Sequence, residues 1–314
     1  MRIARVLRAE DLRPIVALER DGALYDVALL EQIFGTERAP GPIAEPWDFH
    51  SRVVALAGAG LAELDDRLLA GDRPTEARLH PGSFVWLAPI DTDRALFVQL
   101  GGSTPALSGI APKPTYWIGN ARGFLGHDAS VPFPHGEEDP DVELCLGAVL
   151  GEDLRRAACS EAERAILGYA VLGSWTARNE ERLCASAGAP PTRARDFGPQ
   201  LGPVLVTKEE SGDVRELRSR IQAGADAVRG SLAGAQTFTL AESIAFVSAH
   251  IELRAGDIIG APPAPGASFT ASGKRLPYNT PIDLTIERIG KLTGRPMRGP
   301  EPAAWRSDPP REKR

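Results

Sequence analysis

Apolar and polar positions alternate from the first residues onward. MRIARVL and PIVALERDGALYDVALL predict short strands through about residue 30, with Asp21-Gly22 splitting the second run as a tight hairpin turn would. The spacing becomes helical in LAELDDRLLAG (Leu61 to Gly71), where Gly71 offers a C-terminal stop, and FVWLAPI (Phe84 to Ile90) returns to strand. Beyond Ala95 the apolar runs are short and separated by Gly and Pro, which places a boundary there. VELCLGAVLG (Val142 to Gly151) reads as a strand pair or a bent strand. SEAERAILGYAVLGSW (Ser160 to Trp175) opens as a helix, with Ser160 and Glu163 at capping-box spacing, and turns to strand at YAVLGSW. LAESIAFVSAHIEL (Leu240 to Leu253) predicts an amphipathic helix. After the turn RAGDIIG, the Asp283, Thr285, Glu287 alternation predicts a half-exposed strand. The segment from Arg298 to Arg314 is Pro-rich and charged, and is expected to be poorly ordered unless a partner chain holds it. The fold class is α+β: a small β-rich unit with a helix (residues 1–94), a larger unit of short strands (95–297) and a tail (298–314).

Composition narrows the function classes. At 314 residues, with 43% apolar and 25% charged side chains, the chain can bury a substantial core, and 32 Gly with 27 Pro favour turns and loops over long helical bundles. The net charge of −6 is spread without a basic face, so no nucleic-acid partner is expected. No apolar run approaches the roughly 18 residues of a membrane span, and the arginines of MRIARVLRAEDL precede no apolar signal region. A cytoplasmic protein without a membrane partner is the expectation. Cys145, Cys159 and Cys184 are odd in number and lack C-x-x-C spacing, which predicts free thiols, with Cys145 a packing residue.

Candidate chemistry begins at Asp141 and Glu143. Two residues apart on a strand, their side chains leave one face, as two oxygens offered to a hard cation would, although solvated strands also carry this pattern. Four ordered segments add context: Asp141-Val142-Glu143 in DPDVEL, Ser174 to Asn179 (SWTARN), Arg195-Asp196-Phe197, and Leu201-Gly202-Pro203-Val204. In order and spacing they resemble the E-x-E, N-D-x-S-A-R-D, G-K-x-F and L-G-P segments of the fumarylacetoacetate hydrolase family. KPTYWIGNARGFLGHDASVPFP (Lys113 to Pro134) and Thr237 to Gly266 extend the resemblance, which covers nearly all of the chain to about Pro296. It implies a mixed β-roll after a small N-terminal domain, a homodimer, and Mg²⁺ or Mn²⁺ holding a small-molecule carboxylate, a 2-oxo acid or β-diketo acid, for C–C hydrolysis, decarboxylation or tautomerisation.

The chain departs from that pattern where the family does its chemistry. Ser174 stands at the third metal-ligand position, and Asp141 replaces the first Glu, so the metal would be bound weakly or not at all. Arg195 replaces a lysine; it keeps the cation but cannot shuttle protons. Ala261 replaces a threonine, and Gln99 to Pro114 holds neither the His nor the Glu of a water-activating dyad. Of His50, His80, His127, His135 and His250 none falls at that place, and His127 and His135 read as surface turns. The resemblance leaves Tyr116, Trp117, Asn120, Arg178, Glu181 and Arg195 as substrate-binding candidates, with Asp141 and Glu143 as metal candidates. Trp117 and Trp175 are expected to wall a planar group. Arg178 either grips a carboxylate or pairs internally with Asp141 or Glu143. The leading expectation is an enzyme with an altered site acting on a 2-oxo acid or enolisable dicarbonyl by hydrolysis, tautomerisation, decarboxylation or cyclisation, with weak or no metal dependence. Its rivals are a conventional Mg²⁺/Mn²⁺-dependent acylpyruvate-type hydrolase, with Glu180 or Glu181 supplying the missing ligand, and a non-catalytic binding or scaffold protein.

Overall fold

The computed structural model describes residues 1–35, 53, 59–105, 111–232, 237–263 and 268–303. His50, the middle of the Gln99–Pro114 stretch, the end of the loop after Ala261 and most of the proposed tail lie outside them. The opening alternation forms β1 (Arg2–Arg8), β2 (Pro14–Arg20) and β3 (Ala23–Asp26), paired antiparallel. Asp21 and Gly22 join β2 to β3 with φ of 49° and 77°, the positive values a two-residue hairpin turn requires. The strand expected to continue through VALL is instead helix α1 (Val27–Phe34). The Asp26 carboxylate accepts from the amides of Ala28 and Leu29, at 2.9 and 3.4 Å, and so caps a helix. Helix α2 (Ala59–Ala70) stops at Gly71, as its spacing predicts, with φ of 101°. After β4 (Arg78–Leu79), FVWLAPI supplies only β5 (Phe84–Trp86), ending ahead of Pro89, which has no amide to give a ladder.

The chain continues through β6 (Phe97–Ser103), β7 (Pro114–Gly119), β8 (Ala129–Phe133), β9 (Pro140–Leu150), α3 (Cys159–Arg164), β10 (Ile166–Ala177), α4 (Arg178–Ser186) and α5 (Thr192–Arg195). It closes with β11 (Gln200–Thr207), α6 (Lys208–Ser211), β12 (Arg218–Ala223), β13 (Asp226–Ser231), α7 (Leu240–Ser248), β14 (Ile258–Gly260), β15 (Ile282–Ile286) and β16 (Gly290–Arg298). VELCLGAVLG is one uninterrupted strand. The cap of α3 differs from the sequence pattern: Glu161, not Glu163, accepts from the amide of Ala158 at 2.7 Å, so the helix starts one residue before Ser160. Helix α7 is shorter than its apolar pattern and is opened by Thr239 and Glu242, each bonding the other's amide. Glu287 falls in the turn after β15, outside the alternation that holds for Asp283 and Thr285.

Two sheets result. The larger runs β4-β3-β2-β1-β11-β10-β9-β14-β6-β7, with β5 beside β1; the smaller runs β13-β12-β15-β16-β8. Because β1 pairs with β11, the opening strands share one hydrogen-bonded sheet with the larger region. Strand β9 is buried at all of its positions. Val142, Leu144, Leu146, Ala148 and Leu150 pack with Trp175 and the smaller sheet, whereas Cys145 and Val149 pack with Ala170 and Leu172 on the other face. Such a doubly covered strand ordinarily reads as continuous apolar sequence. Asp141 and Glu143 interrupt it at its start, on the Cys145 face. No helix among the described residues is long and apolar enough to cross a membrane.

Candidate active site

Antiparallel pairing of β9 with β10 sets Glu143 opposite Ser174 and Asp141 opposite Thr176. Strand β10 passes directly into α4, whose first residue is Arg178, and the short helix α5 ends on Arg195. The two arginines therefore converge on the acidic pair from consecutive segments. Arg178 donates to Asp141 Oδ2 from Nε (3.0 Å) and Nη2 (2.7 Å), to Glu143 Oε1 from Nη2 (2.7 Å), and to Glu181 Oε2 from Nη1. Arg195 donates from Nη1 to Glu143 Oε2 (2.5 Å) and Ser174 Oγ (3.0 Å), and from Nη2 to Glu143 Oε1 (3.2 Å) and Glu181 Oε1 (2.6 Å). Its Nε is buried and has no hydrogen-bond partner among the described residues. The Arg195 guanidinium lies 5.6 Å from the centre of the Trp117 ring, within cation-π range.

Exposure rises in order through the cluster. The Asp141 side chain is 0% exposed, Glu143 11% and Glu181 27%. Burial alone would raise the Glu143 carboxyl, but the hydrogen bonds and charge of Arg195, with those of Arg178, hold it below the usual carboxylate range. Burial works against the charged form of Arg178, and Glu143 and Asp141 override it, so the guanidinium stays protonated. Burial, then the Glu143 charge, pushes the Cys145 thiol far up, which leaves it an inert packing group as the sequence predicts.

A hard divalent cation takes six or more oxygens. Here the oxygens of Asp141 already accept from the amides of Val142, Phe269 and Thr270, from Ser268 Oγ and from Arg178, while those of Glu143 and Ser174 accept from the guanidiniums. No group of three or more His, Cys, Asp or Glu among the described residues could hold a metal. The donor set present does not fit Mg²⁺ or Mn²⁺. Glu180 supplies no further ligand, since its carboxylate meets Arg193 at the surface, 2.5 Å away.

The remaining predicted residues divide. Adjacent strand residues face opposite ways, so Trp117 reaches the cluster while Tyr116 packs on the core of the other face. Asn120 is exposed and borders a separate cavity of about 450 Å³ with Asp93, Arg122 and Asp257. Trp175 is fully buried and donates to Gln200 Oε1 at 2.9 Å. Ala261 is buried beside Leu146, on the other face of β9, where both line a cavity of about 870 Å³. Gln99 anchors the same strand junction, donating to the carbonyls of Gly260 and Ala261. His135 is exposed, as its turn suggests, but His127 is half-buried against Trp86, and its Nδ1 accepts from the Thr293 amide at 3.0 Å. Ser268, whose hydroxyl donates to Asp141 at 2.8 Å, carries no sequence signal, because a contact across 127 positions leaves no local pattern.

Known proteins resemble this chain in sequence and in fold. Residues 95–295 match the family described as Fumarylacetoacetate (FAA) hydrolase C-terminal. A 2,4-didehydro-3-deoxy-L-rhamnonate hydrolase of Sphingomonas sp. (strain SKA58) is 26% identical over 183 residues, which are 58% of this chain and 64% of that protein's length. Among solved structures, maleylpyruvate hydrolase from Sphingobium sp. SYK-6, in complex with manganese(II) ion and pyruvate, superposes with a TM-score of 0.69 at 17% identity, covering 96% of this chain and 100% of that one. The 5-carboxymethyl-2-hydroxymuconate delta-isomerase of Mycobacterium smegmatis gives 0.66 at 18% identity, with 96% and 100% covered. At those identities the structural likeness is one of fold, a mixed α/β architecture with two sheet regions. With the profile match spanning most of the chain, from β6 to β16, the protein belongs to the fumarylacetoacetate hydrolase family.

Proposed function

We propose that the site around Arg178 and Arg195 binds the carboxylate of a small 2-oxo acid or enolisable dicarbonyl and promotes its conversion with weak or no dependence on a divalent metal. The observation that carries this reading is the position of the Arg178 guanidinium, 2.7 Å from both Asp141 and Glu143, a fixed cation where the family resemblance expects an exchangeable one. Guanidinium donors match a carboxylate in pairs, and they also stabilise the oxygen on which charge grows as a carbonyl compound enolises. Arginine does not release a proton near neutrality, Glu143 is held ionised, and Cys145 is held as the thiol. The cluster thus offers binding and charge stabilisation, with protons exchanged through solvent. Decarboxylation needs no more than that, since loss of CO₂ leaves an enolate that solvent protonates, whereas tautomerisation, C–C hydrolysis and cyclisation need a base as well. The names of the relatives support an organic-acid substrate.

The manganese in the maleylpyruvate hydrolase structure supports a second, metal-dependent reading, which here requires both guanidiniums to leave the acidic pair. Turnover of oxaloacetate and a panel of acylpyruvates, measured in chelator and in excess Mn²⁺, separates the two. The proposal expects turnover in chelator, with Arg195→Ala lowering kcat/KM by about a hundredfold, the scale of losing a group that stabilises transition-state charge. Activity only with metal supports the second reading. No turnover in either condition, with ligand binding indifferent to Arg195→Ala, supports a binding or scaffold role.

A further inference from the structure

Glu181 is the outermost acid of the cluster, and its two oxygens are divided, Oε2 on Arg178 Nη1 and Oε1 on Arg195 Nη2. This division leaves Arg195 incompletely used. Nε and Nη2 form one edge of a guanidinium, and Arg20 of the same chain shows how a carboxylate fills it: Asp65 Oδ1 accepts from Nε at 2.8 Å while Oδ2 accepts from Nη2. On Arg195, Glu181 satisfies Nη2 alone, and Nε stays buried without a partner among the described residues. A donor left in that state costs its full desolvation, so any acceptor able to reach it is favoured. Tethered to the first turn of α4 and shared with Arg178, Glu181 does not reach it; a free carboxylate has no such tether.

The geometry points to Glu181 as a displaceable internal carboxylate, which closes the substrate site in the resting protein and yields the Nε–Nη2 edge of Arg195 and the Nη1 of Arg178 to an incoming ligand carboxylate. This rests on the carboxylate-binding reading above and adds to it a residue that sets affinity. On exchange, one anion replaces another between the same two cations, and Glu181, 27% exposed while bound, swings into water. Asp141 and Glu143 keep both arginines in place throughout, so the site stays formed while its outer position changes hands. The ligand class follows: a carboxylate small enough to enter edge-on beside Trp117, in competition with the protein's own side chain. The apparent affinity of the resting protein is that of the open state multiplied by the fraction of molecules in which Glu181 has left.

The test is calorimetric titration of pyruvate, with neutral pyruvamide as control, into the full chain and its variants. Glu181→Ala is expected to bind pyruvate about tenfold or more tightly than the wild type, the gain when an open state populated at about a tenth becomes the only state. Glu181→Gln, which preserves shape and guards against a folding defect, is expected between the two, and pyruvamide should gain nothing. Glu180→Ala removes a charge from the same turn without touching either arginine of the site, and is expected within about threefold of wild type on the weak coupling of exposed charges. Arg195→Lys keeps a cation beside Glu143 but lacks the two-donor edge, and should lose pyruvate. If Glu181→Ala binds no tighter than wild type, or gains no more than Glu180→Ala, displacement is wrong. Wild-type binding that Arg195→Lys abolishes then leaves the carboxylate-binding reading standing alone. If neither wild type nor Glu181→Ala binds pyruvate, both fall.

Discussion

Asp141 is a fully buried acid whose lone pairs are divided among backbone amides, the Ser268 hydroxyl and one guanidinium, the last of these its only charged partner among the described residues. Removing one partner of a buried ion pair strands the other in low dielectric. Arg178→Ala is therefore expected to destabilise the fold by about 3–5 kcal/mol in urea unfolding, and a loss under about 1 kcal/mol would show the pair to be dispensable. The sequence made the members of this cluster legible: Asp141, Glu143, Ser174, Arg178, Glu181 and Arg195 all follow from the spacing of the family segments, and the hydrogen bonds of the two arginines join all six. The two alternatives for Arg178 did not separate in the sequence, because a residue type fixes which bonds a side chain can form and not which neighbour is nearest. Tyr116 and Trp175 lie away from the cluster for a different reason: the alternation of a strand sends them to the face opposite their neighbours Trp117 and Ser174. Asn120 follows the end of β7 and borders another cavity.

Elements whose limits are set locally were well marked. The Asp21-Gly22 hairpin and the Gly71 stop follow from backbone conformations that few residues adopt. Those whose limits depend on a side-chain bond were displaced, as at Asp26, where a carboxylate turned onto two amides converts an apparent strand into α1. His127 shows the same limit between elements. It lies at the mouth of β8 in a turn that reads as surface, yet it packs edge-on against Trp86 of β5 and accepts from the Thr293 amide of β16. Burial lowers its affinity for a proton, with the Asp128 carboxylate opposing weakly. Because the folded form resists protonation, its contribution to stability is present above the ordinary imidazole pKa and is lost as pH falls through that value toward the lowered one. The Tm should thus drop between about pH 7.5 and about pH 5.5, on either side of the unperturbed value near 6.5. His127→Asn keeps an acceptor for Thr293 but does not titrate, so it should show a smaller drop; an equal drop would place the titration elsewhere.

At the scale of the whole molecule, the larger sheet gives β9 two covered faces and assigns them different tasks. One face is apolar throughout and closes against the smaller sheet. The other begins with two acids, which the turn into α4 and the approach of α5 meet with two guanidiniums. The opening strands join the same sheet through β1 and β11, and Arg20 of β2 ties Asp65 of α2 to Glu210 of α6, so the small unit is fastened by both ladder and ion pairs. Arg178 and Arg195 hold Asp141 and Glu143, the pair that the family resemblance gives to a divalent ion. Calorimetric titration of Mn²⁺ into the full chain at neutral pH is the decisive measurement. No saturable binding in the micromolar range is expected for the native chain, because two guanidiniums would have to be expelled from Asp141 and Glu143. One-site micromolar binding that disappears in Glu143→Gln would contradict it.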